Sequence, residues 1–314
     1  MPVVRAGEGH PQSLESHTGM EYGLKPLGRE KAWLLALLAP TLIGLLFGAL
    51  GSVIATVALS FTKWDLLTPP SWAGVANYVS LVTDRKVLLS LTNTLKFSAL
   101  YVPGVVVISL LVAVLMNRKI RGLSLFRTAY FLPAVTSAVA TALVWNMIYG
   151  KDTGILNFIL ETLGLPGVCW LCTDNAMLSV VAVNIWGAIG EGMIIFLAGL
   201  TAIPREYYDA AEIDGANGLQ QFFALTLPLI TPSIFFQGLM STINAFQAFD
   251  YIYMLTRRSQ GDSSVPVIVF SIYRNGWNFF NYGGASAQAI VLTLVVAVFM
   301  GLAFWWERRY VVYE

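Results

Sequence analysis

Six stretches of nearly unbroken apolar residues divide the chain, at roughly Trp33–Ser60, Phe97–Met116, Tyr130–Tyr149, Met177–Leu200, Leu225–Thr256 and Ala285–Trp306. Each holds the ~20 apolar residues a helix needs to cross a bilayer core. None alternates apolar and polar positions as a barrel strand does. Hydrocarbon offers peptide groups no water to bond, so a helix, which satisfies itself, is the expected form. The pattern predicts an all-α membrane protein of six transmembrane helices. The fifth stretch exceeds one crossing and carries Pro228 and Pro232 near its start. Its first part is therefore expected at or below the membrane surface, with a kink and the start of the crossing near Pro232. The segment near Ser71–Leu91 reads as a loop with scattered aromatics, suited to the outer surface.

Composition supports this reading. The chain is 56% hydrophobic and 12% charged, with a mean hydropathy of +0.67, whereas soluble domains carry about 25% charged residues. A net charge of +1 gives no bias toward nucleic acid. Residues 1–32 form a polar tail, and no small-residue cleavage pattern closes the first apolar stretch, which reads as an uncleaved span. Six spans place both termini on one side. That side collects 11 Lys and Arg residues against 7 on the other, which predicts cytoplasmic termini.

Few enzyme motifs survive inspection. Gly150-Lys151 is followed by Asp152, so the G-x-x-x-x-G-K-[ST] phosphate loop is absent. Gly187, Gly190 and Gly192 lie inside an apolar run at the wrong spacing for a dinucleotide fingerprint, and close helix packing explains them better. His10 and His17 lie in the polar tail, no Ser-His-Asp set or carboxylate dyad emerges, and no metal site is expected. Cys169 and Cys172 lack the βαβ context of a redox motif and the further ligands of a zinc site. They form either a disulfide in an oxidising compartment or a pair without function, and the second reading is the stronger.

The polar segment between the fourth and fifth stretches, "PREYYDAAEIDGANGLQQFFALTLP", is acidic in a chain with few charges. Pro204 suits the first position of a helix. Glu206 and Asp209 then fall in its first turns, where acids favour the dipole. Ala210 and Ala211 favour helix and let another surface approach, and Gly215 suits a helix stop. The residues alone weigh a docking helix and a solvated loop evenly.

Asp209-Ala210-Ala211, with Asp214-Gly215-Ala216, Phe222 and Leu227-Pro228, resembles the "EAA" loop of binding-protein-dependent ABC transporter permeases. The segments "FRTAYFLPAVTSAVATALVWNMIY", "FLAGLTAIPREYYDAAEIDGA", "NAFQAFDYIYMLT" and "YGGASAQAI" resemble spans three to six of the carbohydrate branch, the type of maltose and glycerol-phosphate importers. The likeness covers roughly 30–310. It implies a type I, maltose-permease-like fold, with a cytoplasmic tail at 1–32, a permease domain at 33–310 and the coupling loop at about 204–228. In that family the loop docks on an ATPase, which assigns Glu206, Asp209, Ala210, Ala211, Asp214 and Gly215 to coupling. The implied partners are a second permease subunit, two ATPase subunits that hold ATP and Mg, and an extracytoplasmic solute-binding protein, in a bacterial inner membrane. No cofactor is expected in this chain. The chain departs from the family pattern in several places: Asp209 replaces Glu, Leu225 replaces Ile, Glu191-Gly192 replaces an aromatic and an amide, and Thr256-Arg257-Arg258-Ser259 replaces a Gly-Gly-Pro turn.

Polar groups at membrane depth mark pathways or interhelical bonds. Glu191, in the fourth stretch, suits a sugar hydroxyl, a cationic solute group or a basic residue of the partner permease. Asn244, Gln247, Asp250 and Tyr251 stand at helical spacings of three and four and read as one polar stripe. Trp186 and Trp145 offer sugar-stacking faces or interfacial packing. The resulting expectation is an ABC importer permease for a sugar-like solute, not an enzyme. The rival is a stand-alone secondary carrier with Glu191 as its ion or proton site; it needs inverted repeats or broken helices at midplane, and the sequence shows neither clearly.

Overall fold

The computed structural model describes residues 28–117, 122–172, 175–256 and 265–310, with side chains described from 33 to 309 within these ranges. The chain divides into two compact units, Met1–Val53 and Ile54–Glu314. The first apolar helix is built from α1 (Gly28–Ile43), a π-helical turn (Gly44–Leu50) and α2 (Gly51–Ser60), and provides a membrane-length segment, Trp33–Ser60.

Beyond it, β1 (Thr62–Lys63) and β2 (Ser71–Trp72) form a small antiparallel hairpin, followed by α3 (Ala76–Thr83). In the connecting turn Asp65 accepts hydrogen bonds from the Thr68 amide (2.8 Å), the Leu67 amide (3.1 Å) and the Thr68 hydroxyl (2.8 Å). Those to Thr68, chiefly, hold its carboxyl below the usual carboxylate range. The segment read as a loop near Ser71–Leu91 is therefore mostly ordered: it contains β2, α3 and the start of α4 (Arg85–Met116).

α4 starts 12 residues before the apolar stretch that foretold it. Asp84 caps it by accepting from the Lys86 amide at 2.8 Å, as an N-cap acid does. Its 32 residues span about 48 Å, more than one bilayer core. The extra turns have their own partners: Thr94 Oγ1 accepts from the Ile268 amide (2.9 Å) and Asn93 donates to the Pro266 carbonyl (3.2 Å).

The third stretch, expected as one span over Tyr130–Tyr149, is broken. α5 (Leu123–Val135) and α6 (Ala138–Ile148) meet at 100°. Pro133 lies in the last turn of α5, and Thr136 and Ser137 are non-helical, with ψ of 148° and 127°. The Thr136 hydroxyl donates to the Pro133 carbonyl (2.8 Å) and lies 3.1 Å from the Thr141 hydroxyl. Side-chain hydroxyls thus take over groups the missing helical ladder leaves open.

α7 (Ile155–Thr162) precedes α8 (Ala176–Ala202), against which α4 and α5 pack. A Cβ on Gly190 would lie 2.6 Å from the Tyr130 carbonyl oxygen and 2.8 Å from the Phe131 Cα. One on Gly192 would lie 2.5 Å from Ser109 Oγ and 3.2 Å from Gln237 Nε2. The two glycines let α8 approach α5 on one side and α4 on another, as the packing reading expected. Around them Phe97, Val105, Val180, Val183, Met193 and Phe196 are nearly inaccessible.

Then come α9 (Arg205–Ile213), α10 (Gly218–Gln221), a π-helical turn (Phe222–Thr226), α11 (Leu227–Leu229) and α12 (Thr231–Phe246). The path bends by 66° between Leu229 and Thr231, with Pro232 in the first turn of α12, so the expected kink is present. α13 (Asp250–Thr256), α14 (Ile268–Tyr273), a π-helical turn (Arg274–Asn278) and α15 (Tyr282–Tyr310) are the last of the described elements. Four helices are long and apolar enough to span a membrane, and the two bent pairs bring the total to six among the described residues. The altered turn after Thr256 lies outside the described residues.

Gly190→Ala is expected to lower thermal stability in detergent by about 1–3 kcal/mol, as overpacking does, because the obstructing atoms are backbone. Gly301→Ala meets nothing within 4 Å and should leave the melting temperature unchanged; equal behaviour of the two variants would refute the packing account.

Candidate functional site

α9 stands on the surface with no buried residue. Pro204 is the residue before it rather than its first member, and Glu206 occupies its first turn. The helix ends in a Schellman arrangement: Gly215 takes φ +81°, its amide bonds the Glu212 carbonyl (3.0 Å), and the Ala216 amide bonds the Ala211 carbonyl (2.9 Å). The left-handed conformation is what glycine accepts and other residues resist. Asn217 then opens α10 with a capping box. Its side chain accepts from the Gln220 amide (3.0 Å), and the Gln220 side chain accepts from the Asn217 amide (2.8 Å). Tyr208 OH lies 3.0 Å from Thr226 Oγ1, tying α9 to the path back into the bundle.

This arrangement divides α9 into two faces. Glu206, Asp209, Ala210 and Ile213 are exposed at spacings of three and four, while Tyr208 and Ala211 are half-buried. The two alanines, grouped in the sequence, thus face different ways. Sequence reasoning passed over Ile213, which is 86% exposed; an isoleucine in an acidic, solvent-facing segment was the available signal.

At membrane depth, Glu191 is exposed on α8 between the two packing glycines. Trp186 is half-exposed on the same helix and meets Trp145 of α6 edge-on, with ring centroids 5.7 Å apart. Tyr251 of α13 places its hydroxyl 2.9 Å from where a Cβ of Gly187 would be. The expected stripe is not one continuous helical face. α12 ends at Phe246, Gln247 is its C-cap, and Asp250 and Tyr251 belong to α13. Asn244, Gln247 and Asp250 are exposed within the chain, Tyr251 half-buried. The interruption at 247–249 redirects the later positions.

On the opposite side from α9, counting each bent pair as one crossing, Cys169 and Cys172 are joined as a disulfide. Beside it Asn157, 2% exposed, donates to the Lys151 and Val168 carbonyls (2.7 and 2.9 Å). It also accepts from the Val168 amide (3.1 Å) and Trp170 Nε1 (2.9 Å). Among the described residues no group of three or more His, Cys, Asp or Glu side chains is placed to hold a metal ion.

The model of the binding-protein-dependent transport system inner membrane component family matches residues 85–312. The chain belongs to this family. It is a family of transport permeases, not of enzymes, and its membership separates this permease from ion-driven carriers, whose broken spans its α5–α6 bend resembles. The permease is 35% identical over 285 residues to the probable ABC transporter permease protein YesP of Bacillus subtilis, covering 89% of this chain and 91% of the relative. It is 31% identical to the trehalose/maltose transport system permease protein MalF of Thermococcus litoralis, covering 73% and 77%. Its fold is similar to a chain of a bacterial alginate ABC transporter solved with an alginate pentasaccharide-bound periplasmic protein. That match has a TM-score of 0.79 at 26% identity and covers 89% and 96% of the two chains.

Gly215→Ala is expected to cost roughly 1–2 kcal/mol locally, through the left-handed backbone alone, since no atom lies within 4 Å of the added carbon. Limited proteolysis between α9 and α10 should accelerate; an unchanged cleavage rate would show that the turn tolerates a side chain.

Proposed function

We propose that this permease carries a sugar or sugar-like solute inward as one of two membrane subunits, driven by two ATPase subunits that dock on α9. The observation that carries the coupling reading is the exposed face of α9, Glu206, Asp209, Ala210 and Ile213, ended by Gly215 and fastened at Tyr208. A short rigid helix without buried residues of its own suits insertion into a groove on a partner. Asp214 supplies the C-cap, and half-buried Ala211 supports the face from behind. ATP and Mg belong to the ATPase partners, and an extracytoplasmic binding protein delivers the solute.

The sugar class is supported by relatives named for trehalose and maltose, for sn-glycerol-3-phosphate and for arabinooligosaccharides. For the pathway we assign Glu191, Trp186, Asn244, Gln247, Asp250 and Tyr251, which offer hydroxyl-binding and stacking groups on three helical segments, α8, the end of α12 and α13. The termini are placed in the cytoplasm: the Lys and Arg bias supports this, as does a disulfide on the other side, where an oxidising compartment is expected. The tail ends near residue 32 and the permease domain runs over 33–310.

Two experiments test the proposal in transporters reconstituted with their ATPase and binding protein. Ala210→Trp is expected to reduce ATPase association by about 30-fold, the scale of a lost interface anchor, while Leu219→Trp has a smaller effect; unchanged association and uptake in Ala210→Trp would sink the coupling role. Glu191→Ala is expected to alter the concentration dependence of uptake with unchanged complex yield. Normal kinetics would remove Glu191 from the pathway, and a lost complex would assign it to subunit pairing.

A further inference from the structure

We infer that the groove between α5 and α8 is a binding site for an anionic phospholipid. It encloses about 460 Å³, and its lining includes Arg127, Thr128 and Phe131 of α5 and Met193, Ile194 and Thr201 of α8. The two helices pack against each other and pass the groove in opposite directions. Arg127 and Thr128 lie in the second turn of α5, and Thr201 lies in the last turn of α8. The polar residues therefore share one end of the groove, on the membrane face that also bears α9. Phe131 lies about 6 Å further along α5, and Ile194 and Met193 lie about 10–12 Å from Thr201 along α8, at 1.5 Å per residue. Met193 is only 2% exposed and Ile194 is 49% exposed, so the deep part is apolar and open to the side.

The charge at the mouth is incompletely satisfied. Arg127 donates from Nη2 to the Met116 carbonyl at 2.9 Å, which holds the guanidinium at the C-terminal end of α4. Its Nε is buried and has no hydrogen-bond partner. Buried donors rarely stay unpaired, and a phosphate oxygen is a strong acceptor for the guanidinium fork. Leu125 and Phe126, both exposed and directly preceding Arg127 as a pair, place the mouth at the boundary of headgroup and hydrocarbon. A cation at that boundary above an apolar slot about 10 Å deep matches a phosphodiester followed by an acyl chain. A soluble anion would use the mouth and leave the slot empty. Basic pockets between spans are a recurring form of lipid recognition.

Native mass spectrometry of the full chain in detergent, titrated with phosphatidylglycerol or phosphatidylcholine of identical acyl chains, tests this. Phosphatidylglycerol should be retained about fivefold better, the scale of one Arg against an anionic headgroup. Arg127→Gln should abolish that preference and Arg127→Lys should retain part of it. Ile194→Trp, which fills the slot and keeps Arg127, should weaken both lipids. Should Arg127→Gln not fold, Ile194→Trp decides alone. Equal retention of the two lipids by the unmodified chain, or unchanged phosphatidylglycerol binding in Ile194→Trp, overturns the inference. So does complete displacement of the lipid by soluble glycerol 1-phosphate, which would make the groove a soluble-anion site. Loss of the lipid on co-assembly with a second permease subunit also overturns it, by making the groove a protein interface.

Discussion

Every peptide group that enters hydrocarbon must find its hydrogen-bond partner within the protein, and this structure is organised by that requirement. Where the chain is apolar, helices meet it locally. Where a helix stops inside a bent pair, side chains contribute: Thr136 and Thr141 at the α5–α6 break, and the Thr231 hydroxyl bonding the Pro228 carbonyl at 2.7 Å at the second bend. Pro232 is accommodated in this way, since the Pro228 carbonyl that its missing N–H leaves open is the one the Thr231 hydroxyl bonds. Each of the two bends thus has a hydroxyl bonded to a carbonyl at its corner.

Helices in lipid gain little from burying apolar side chains against each other, so close backbone approach and interhelical hydrogen bonds decide the packing. α8 shows this most clearly. Gly190 brings it against the α5 backbone and Gly192 brings it against Ser109 and Gln237. Glu191, between them, is left exposed. The same spacing that packs the bundle thereby orients the one carboxylate of this helix away from its own chain. Packing and the proposed pathway are coupled within a single turn of one helix.

α9 follows another logic. It lies outside the bundle, where water satisfies its backbone, and its stability comes from caps rather than a core. The Schellman end at Gly215, the capping box at Asn217 and Gln220 and the Tyr208–Thr226 contact fix its ends and its angle. A helix held by its termini keeps its exposed face available, the property a docking element needs.

The six apolar stretches, the kink before Pro232, the glycine packing of α8 and the helix ending at Gly215 were all legible in the chain, because each rests on local chemistry: hydropathy, a missing amide proton, a missing Cβ, a left-handed φ. Other features depended on contacts between residues far apart in sequence. The early start of α4 relies on Ile268 and Pro266, more than 170 positions away. The 100° break follows from Pro133 together with a hydroxyl pair, although the sequence there stays apolar and suggests a continuous span. The stripe at 244–251 assumed helical periodicity through 247–249, where the backbone leaves the helix. Which of Ala210 and Ala211 faces outward depends on where Tyr208 finds Thr226. The pairing of Arg127 with a slot on α8 joins segments some 70 residues apart. Hydropathy reports only whether a residue tolerates lipid; which neighbour it meets, and which polar group is left without one, is fixed when the helices pack.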